Sequence, residues 1–200
     1  MHFHSIPKAA SSRWVAAVCT AWLTLLPLAA SANDALWSYL QKGGQIVLMR
    51  HAVTTPGVGD PPGFRLDDCS TQRNLTDDGR QHARRVGAAF RMQGIVIERV
   101  LTSPWCRCIE TARLVFGTSG QVSRALDNLF GRHDNEARQV SALRALAGEW
   151  RGSGNLFLVS HGSTILAATG ISPETSEMVI VTPREGSSFA IAGRLVAHDR

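Results

Sequence analysis

Charged residues make up only 18% of this 200-residue chain, against 44% hydrophobic residues. That balance excludes a disordered chain and leaves enough apolar material for one core of ordinary domain size. No run of lysine or arginine is interleaved with aromatics, so the footprint of a nucleic-acid-binding surface is missing. No apolar stretch after residue 32 approaches the ~20 residues needed to cross a bilayer. The cysteines supply a single C-x-C, Cys106 and Cys108, with no second pair and no clustered histidines, so zinc-type spacing is absent and neither a metal nor a cofactor is expected. Internal repeats are lacking too.

What is present begins with the layout of a secretory leader. Lys8 and Arg13 precede an apolar run over residues 14–30, and Ala30-Ser31-Ala32 forms a small-x-small cleavage site. The pattern predicts a signal peptide over 1–32, a mature domain over 33–200, and a periplasmic or secreted location. The formal charge of +5 falls to about +3 without the leader, a mild excess that suits an anionic substrate. Cys69, Cys106 and Cys108 then remain, an odd number. In an oxidising compartment one bridge is expected, from Cys69 to either Cys106 or Cys108; the alternative is free thiols.

Periodicity and punctuation place the elements. Residues 45–50, 98–102 and 155–160 are short β-branched and apolar runs bounded by glycine or polar residues, and so read as buried strands. Residues 121–125, 178–182 and 188–195 read as further strands, the last two antiparallel. Helices are predicted over 34–42, from a Thr76 cap to Gly94, over 104–117, over 136–147, and from 162 to 168. A long Gly/Pro-rich loop spans 51–74. Strand–helix alternation predicts an α/β fold, a three-layer α/β/α sandwich with a largely parallel central sheet.

In such sheets ligands gather beyond the carboxyl ends of strands. Three strand ends carry reactive groups: Arg50-His51, the segment from Ser103 to Arg107, and His161. Two imidazoles and two guanidiniums at one edge are what metal-free phosphoryl transfer requires. The transition state spreads charge over three equatorial oxygens, which arginines can clamp. An imidazole with one nitrogen free and the other held by an acceptor is a nucleophile.

These residues resemble the histidine phosphatase superfamily, branch 1, which shares the phosphoglycerate mutase-like fold. Leu48-Met49-Arg50-His51-Ala52 resembles its Arg-His signature, with Ala52 where Gly is common. Asn74-Leu75-Thr76-x-x-Gly79-x-x-x-Ala83 resembles its second segment, with His82 where Gln is usual. Thr102-Ser103-Pro104-x-x-Arg107-x-x-Glu110-Thr111-Ala112 and Val159-Ser160-His161-Gly162 resemble the third and fourth. The resemblance implies that His51 is the phosphorylated nucleophile. It also implies that Arg50, Arg107 and His161 complete the phosphate pocket.

The stretches Gly59-Asp60-Pro61-Pro62-Gly63-Phe64 and Asp67 to Leu75 resemble an exported subgroup near a lipopolysaccharide core heptose phosphatase. On that likeness Gln72 and Arg73 line the substrate side of the pocket, or else anchor the loop, and a Cys69 bridge staples the loop to the helix carrying Arg107. The family's acid segment falls on Leu126-Asp127-Asn128-Leu129-Phe130-Gly131, which makes Asp127 the candidate general acid, with Glu136 and Glu177 behind it and Glu110 on a helix surface.

The implied function is an exported phosphomonoesterase acting on a small-molecule or lipid-linked phosphomonoester, such as an envelope sugar phosphate. The competing readings are a phosphohistidine phosphatase acting on protein, and a non-catalytic phosphate-binding envelope protein.

Overall fold

In a computed structural model, the described residues are 1–2, 28–186 and 188–197, without the side chains of 28–32 and 133. The predicted leader falls almost wholly outside them. Its last residues, from Leu28, form the start of the first helix, α1 (Leu28–Gln41), which begins earlier than the expected residue 34. No described helix is long and apolar enough to cross a membrane.

After α1 the chain runs β1 (Ile46–Arg50), α2 (Asp77–Met92), β2 (Ile97–Thr102), α3 (Cys106–Phe116), β3 (Gln121–Val122), α4 (Glu136–Gly148), β4 (Asn155–Ser160), α5 (Gly162–Thr169), β5 (Met178–Arg184) and β6 (Ser188–Leu195). The sheet order is β3-β2-β4-β1-β5-β6. The first four of these strands are parallel, while β5 pairs antiparallel with β1 and β6 antiparallel with β5. The α/β sandwich read from the pattern is therefore the observed fold, with two antiparallel strands at one edge.

The central strands are apolar at almost every position because helices cover both faces of the sheet. Successive side chains alternate sides. Val47, Met49, Phe157, Val159, Met178 and Ile180 pack with α1, α2 and α3. Ile46, Leu48, Leu156, Leu158, Val179 and Val181 pack with α4 and α5.

Helix α2 starts as expected: the Thr76 side chain accepts a bond from Gly79 N, and Asp77 and Asp78 sit in the first turn, where the helix dipole favours them. Gly79 is needed for packing, since a Cβ there would lie 2.1 Å from Val53 O in the loop that follows His51.

Two boundaries and one buried face differ. Helix α3 starts at Cys106, with Trp105 rather than Pro104 at its cap. Strand β3 has two residues, because the chain turns at once into a 3-10 turn over Arg124–Leu126. Along α4, Leu143 and Ala147 are buried while Val140 is only partly so.

Candidate active site

Strands β2, β4 and β1 lie side by side and parallel, so their carboxyl ends meet at one edge. The ladder continues one residue beyond them: His51 N donates to Ser160 O at 3.0 Å, and Ser103 N donates to Val159 O at 3.0 Å. These bonds fix where the chain leaves each strand. The rings of His51 and His161 end 5.4 Å apart, edge to face.

His51 is buried, and its Nδ1 lies 2.8 Å from Ala52 O. A carbonyl can only accept, so Nδ1 carries the proton and Nε2 keeps its lone pair. The Ala52 peptide is itself pinned: its N–H donates to Thr111 Oγ1, and that hydroxyl donates to Arg107 O. The motif threonine thus ties the backbone beside His51 to α3. Burial, reinforced by the charges of Arg107, Arg50 and Arg73, lowers the His51 pKa from 6.5 to about 3, against the opposing pull of the Ala52 carbonyl. The ring is neutral at physiological pH.

His161 is also buried. Arg107 Nη2 donates to its Nδ1 at 3.5 Å, so Nε2 carries the proton and donates to Ser103 Oγ at 2.8 Å. Burial first, then the closeness of the His51 ring and the charges of the arginines, holds its pKa well below 6.5. The ring is therefore neutral, because burial disfavours its charged form.

A cavity of about 300 Å³ opens here, lined by Arg50, His51, Arg73, Arg107 and His161 among others. Arg50 Nη1 donates to Pro173 O, Arg73 Nη1 to Gly57 O, and Arg107 to Asp60. The Nε–H of each of these three guanidiniums is buried with no partner. Three buried cationic donors around one small cavity suit an oxyanion, since buried polar groups are otherwise satisfied. Gly162 makes room for one of them, because a Cβ there would begin 3.3 Å from Arg50 Nε. Among the described residues, no group of three or more metal-ligating side chains could hold an ion.

Asp60, in the Gly/Pro-rich loop, is a main organiser of the site. Its carboxylate takes Arg107 Nη1 at 2.7 Å and Nη2 at 3.2 Å, Trp105 Nε1 at 3.0 Å and Arg73 N at 3.0 Å. Burial opposes the Asp60 charge, but these bonds and the Arg107 charge outweigh it and keep the carboxyl below its usual range. A local signal existed: an acid between Gly59 and Pro61, in a loop too long to be a plain connection.

Other expectations separate. Arg73 lines the cavity; Gln72 does not. Gln72 is buried as a loop anchor, donating to Arg65 O and Leu66 O and accepting from Cys106 N. Asp127 stands in a neighbouring cavity of about 330 Å³ with Arg124 and Arg132, and accepts from Arg124 at 3.3 Å. The 3-10 turn points its side chain there, whereas Asn128 reaches the catalytic cleft.

Glu110 pairs with Arg80, Glu177 is clamped by Arg194, and Glu136 opens α4. No carboxylate lines the arginine-bearing cleft among the described residues. Cys69 and Cys106 form a disulfide. Cys108 stays free and buried, and burial pushes its thiol up to about 12, so it remains protonated.

Residues 46–135 match the model of the histidine phosphatase superfamily, branch 1. No curated protein matches the chain. Among solved structures, the protein histidine phosphatase SixA in complex with tungstate is similar at 23% identity and a TM-score of 0.57, covering 76% of this chain and 97% of that one. The Rv3214 protein of Mycobacterium tuberculosis is similar at 21% identity and a TM-score of 0.55, covering 77% and 98%. A phosphoserine phosphatase of Entamoeba histolytica, solved with 3-phosphoglyceric acid, is similar at 13% identity and a TM-score of 0.57, covering 76% and 96%. These likenesses show the fold. Residues 46–135 match the family model, and the four motifs stand in that family's order, so this part of the chain is similar to the histidine phosphatase superfamily.

Proposed function

We propose that the protein is an exported phosphatase that hydrolyses a phosphomonoester through a phosphohistidine on His51, without a metal. The observation that carries this reading is the His51 ring: neutral, with Nδ1–H held by Ala52 O, beside three arginines whose Nε–H groups are buried and unpartnered. The arginines supply the charge stabilisation that a divalent cation supplies in other phosphoryl-transfer sites.

The chemistry proceeds in two displacements. Nε2 of His51 attacks phosphorus as the ester P–O bond breaks, and the leaving oxygen takes a proton from water. The three phosphoryl oxygens are held by Arg50, Arg73 and Arg107. As negative charge arrives, the burial penalty on protonated His161 is offset, and it can share an oxygen. Water then attacks the phosphohistidine, inorganic phosphate leaves, and the neutral imidazole returns. Export is supported by the leader pattern and by the Cys69–Cys106 bridge, since disulfides persist in oxidising compartments.

Purified protein turning over p-nitrophenyl phosphate in EDTA, with turnover abolished by His51→Ala, supports the proposal. Acid-labile, base-stable label trapped on His51 identifies the intermediate. Equal rates for both proteins leave only a phosphate-binding protein, and an acid-stable label points to another nucleophile.

A further inference from the structure

Three of the large apolar side chains left exposed on this protein border the same cleft: Val58 at 86% exposure, Phe130 at 56% and Leu166 at 45%. They come from three separate elements. Val58 lies on the loop after β1, Phe130 on the loop before α4, and Leu166 on α5, whose opposite face buries Thr164, Ile165 and Ala168. The two loops meet above the cleft, where a Cβ on Gly59 would touch the Phe130 ring at 3.8 Å. Exposed apolar groups scattered singly mean little, but a cluster at the mouth of a polar site marks a binding surface.

The polar side of the lining is sparse. Besides the anion-binding arginines and the two histidines, Asn128, Ser163 and Ser172 are the only polar side chains lining the cleft among the described residues. Asn128 Oδ1 is already engaged, accepting from Phe130 N at 3.2 Å and from Ser163 Oγ at 3.0 Å. A hydroxyl-rich sugar would lose water here and find few partners, which costs more than it returns.

The absence of a lining carboxylate adds a chemical constraint. With no carboxylate among the described residues of the lining to protonate it, the leaving oxygen must itself carry negative charge well. Phenolic oxygens do so by delocalisation into the ring, whereas sugar and alkyl oxygens do not.

We infer that the cleft selects phosphomonoesters of apolar phenols, the ring lying against Val58, Phe130 and Leu166 while the phosphoryl group sits among the arginines. This rests on the phosphatase reading above and names its substrate class. It sets envelope sugar phosphates aside.

The test uses 4-n-alkylphenyl phosphates from methyl to pentyl. The para chain leaves the phenol's acidity nearly constant, so any trend reports contact with the rim. We expect kcat/KM to rise about two- to fourfold per methylene over the first few carbons. The slope should flatten in the triple variant Val58→Ser/Phe130→Ser/Leu166→Ser, whose sites are exposed and whose folding is checked by circular dichroism. Affinities for the matching alkylphenyl phosphonates, measured by calorimetry, should follow the same trend. Turnover with no chain-length dependence, or with glucose 6-phosphate preferred, overturns the substrate class and leaves the phosphatase reading intact. If nothing is turned over, the phosphatase reading fails. The phosphonate series then decides the rim by itself: a flat series overturns it and a rising one supports it.

Discussion

The Asp60 carboxylate grips the Arg107 guanidinium through two bonds, 2.7 Å from Nη1 to Oδ1 and 3.2 Å from Nη2 to Oδ2, with both side chains almost fully buried. Asp60 is not part of the cavity lining. It holds Arg107 from behind and leaves Nε–H unpartnered. Asp60 is therefore a positioning residue, and its loss strands a buried cation. Removing one partner of a buried pair costs on the order of 3–5 kcal/mol.

Asp60→Ala should lower unfolding stability by about that amount in urea titrations. Asp60→Asn, which keeps much of the shape, should lose less. In both variants phosphate should raise the melting temperature more than in the parent, because a bound anion restores the missing partner. Identical phosphate-induced shifts in parent and variants would mean that Arg107 does not face the anion.

The core of the site was readable because it is written on strand ends. A short apolar run must be a buried strand, and the residues just after it must lie at the sheet edge, so Arg50, His51 and His161 needed only the topology to converge. The loop residues were not readable in this way. Gln72 and Arg73 are adjacent, yet one anchors the loop and the other lines the cavity, a split set by backbone turns that carry no hydrophobic period. Asp60 acquires its role only when the loop folds back onto α3. Asp127 has a plausible spacing, but a single 3-10 turn sends its side chain to Arg124. The choice between Cys106 and Cys108 follows from helix geometry. Two residues apart on α3 they face different sides, and only Cys106 meets the loop while Cys108 faces His161.

The Cys69–Cys106 bridge closes a segment with a sequence separation of 37 and ties the loop carrying Asp60 and Arg73 to the start of α3. Chain entropy alone places its contribution at up to about 4 kcal/mol. Reduction, or Cys69→Ser with Cys106→Ser, should lower stability by about 2–4 kcal/mol and raise KM more than it lowers kcat, since the loop supplies binding groups. Cys108→Ser should leave the response to reductant unchanged. A KM indifferent to reduction, in protein shown to be reduced, would mean that the loop holds its shape without the bridge.

Thr111 links the segment beside His51 to α3 by accepting from Ala52 N at 3.1 Å and donating to Arg107 O at 2.7 Å. Thr111→Val keeps the volume and removes both bonds, leaving Ala52 N buried without a partner, a loss of about 1–3 kcal/mol. We expect kcat to fall more than KM rises, because the carbonyl orienting His51 is freed while the arginines stay in place. Equal kcat in the two proteins would show that Ala52 needs no such support.

The depressed histidines set the pH behaviour. His51 titrates at about 3 in the folded chain against 6.5 ordinarily, and His161 shifts in the same direction. Between those values the unfolded chain binds a proton at His51 that the folded chain does not, so stability rises with pH across this window. The stability is complete above about pH 6.5 and drains away as the pH falls towards 3. His51 itself stays mainly unprotonated until the pH approaches 3. Turnover should therefore persist at about pH 5, with any loss near pH 6 set by the second ionisation of the phosphomonoester rather than by His51. Urea midpoints between about pH 4 and 8, together with the His51 ring signals in NMR, check both parts. A ring that titrates near 6.5 in folded protein would remove the neutral nucleophile on which the pH argument stands.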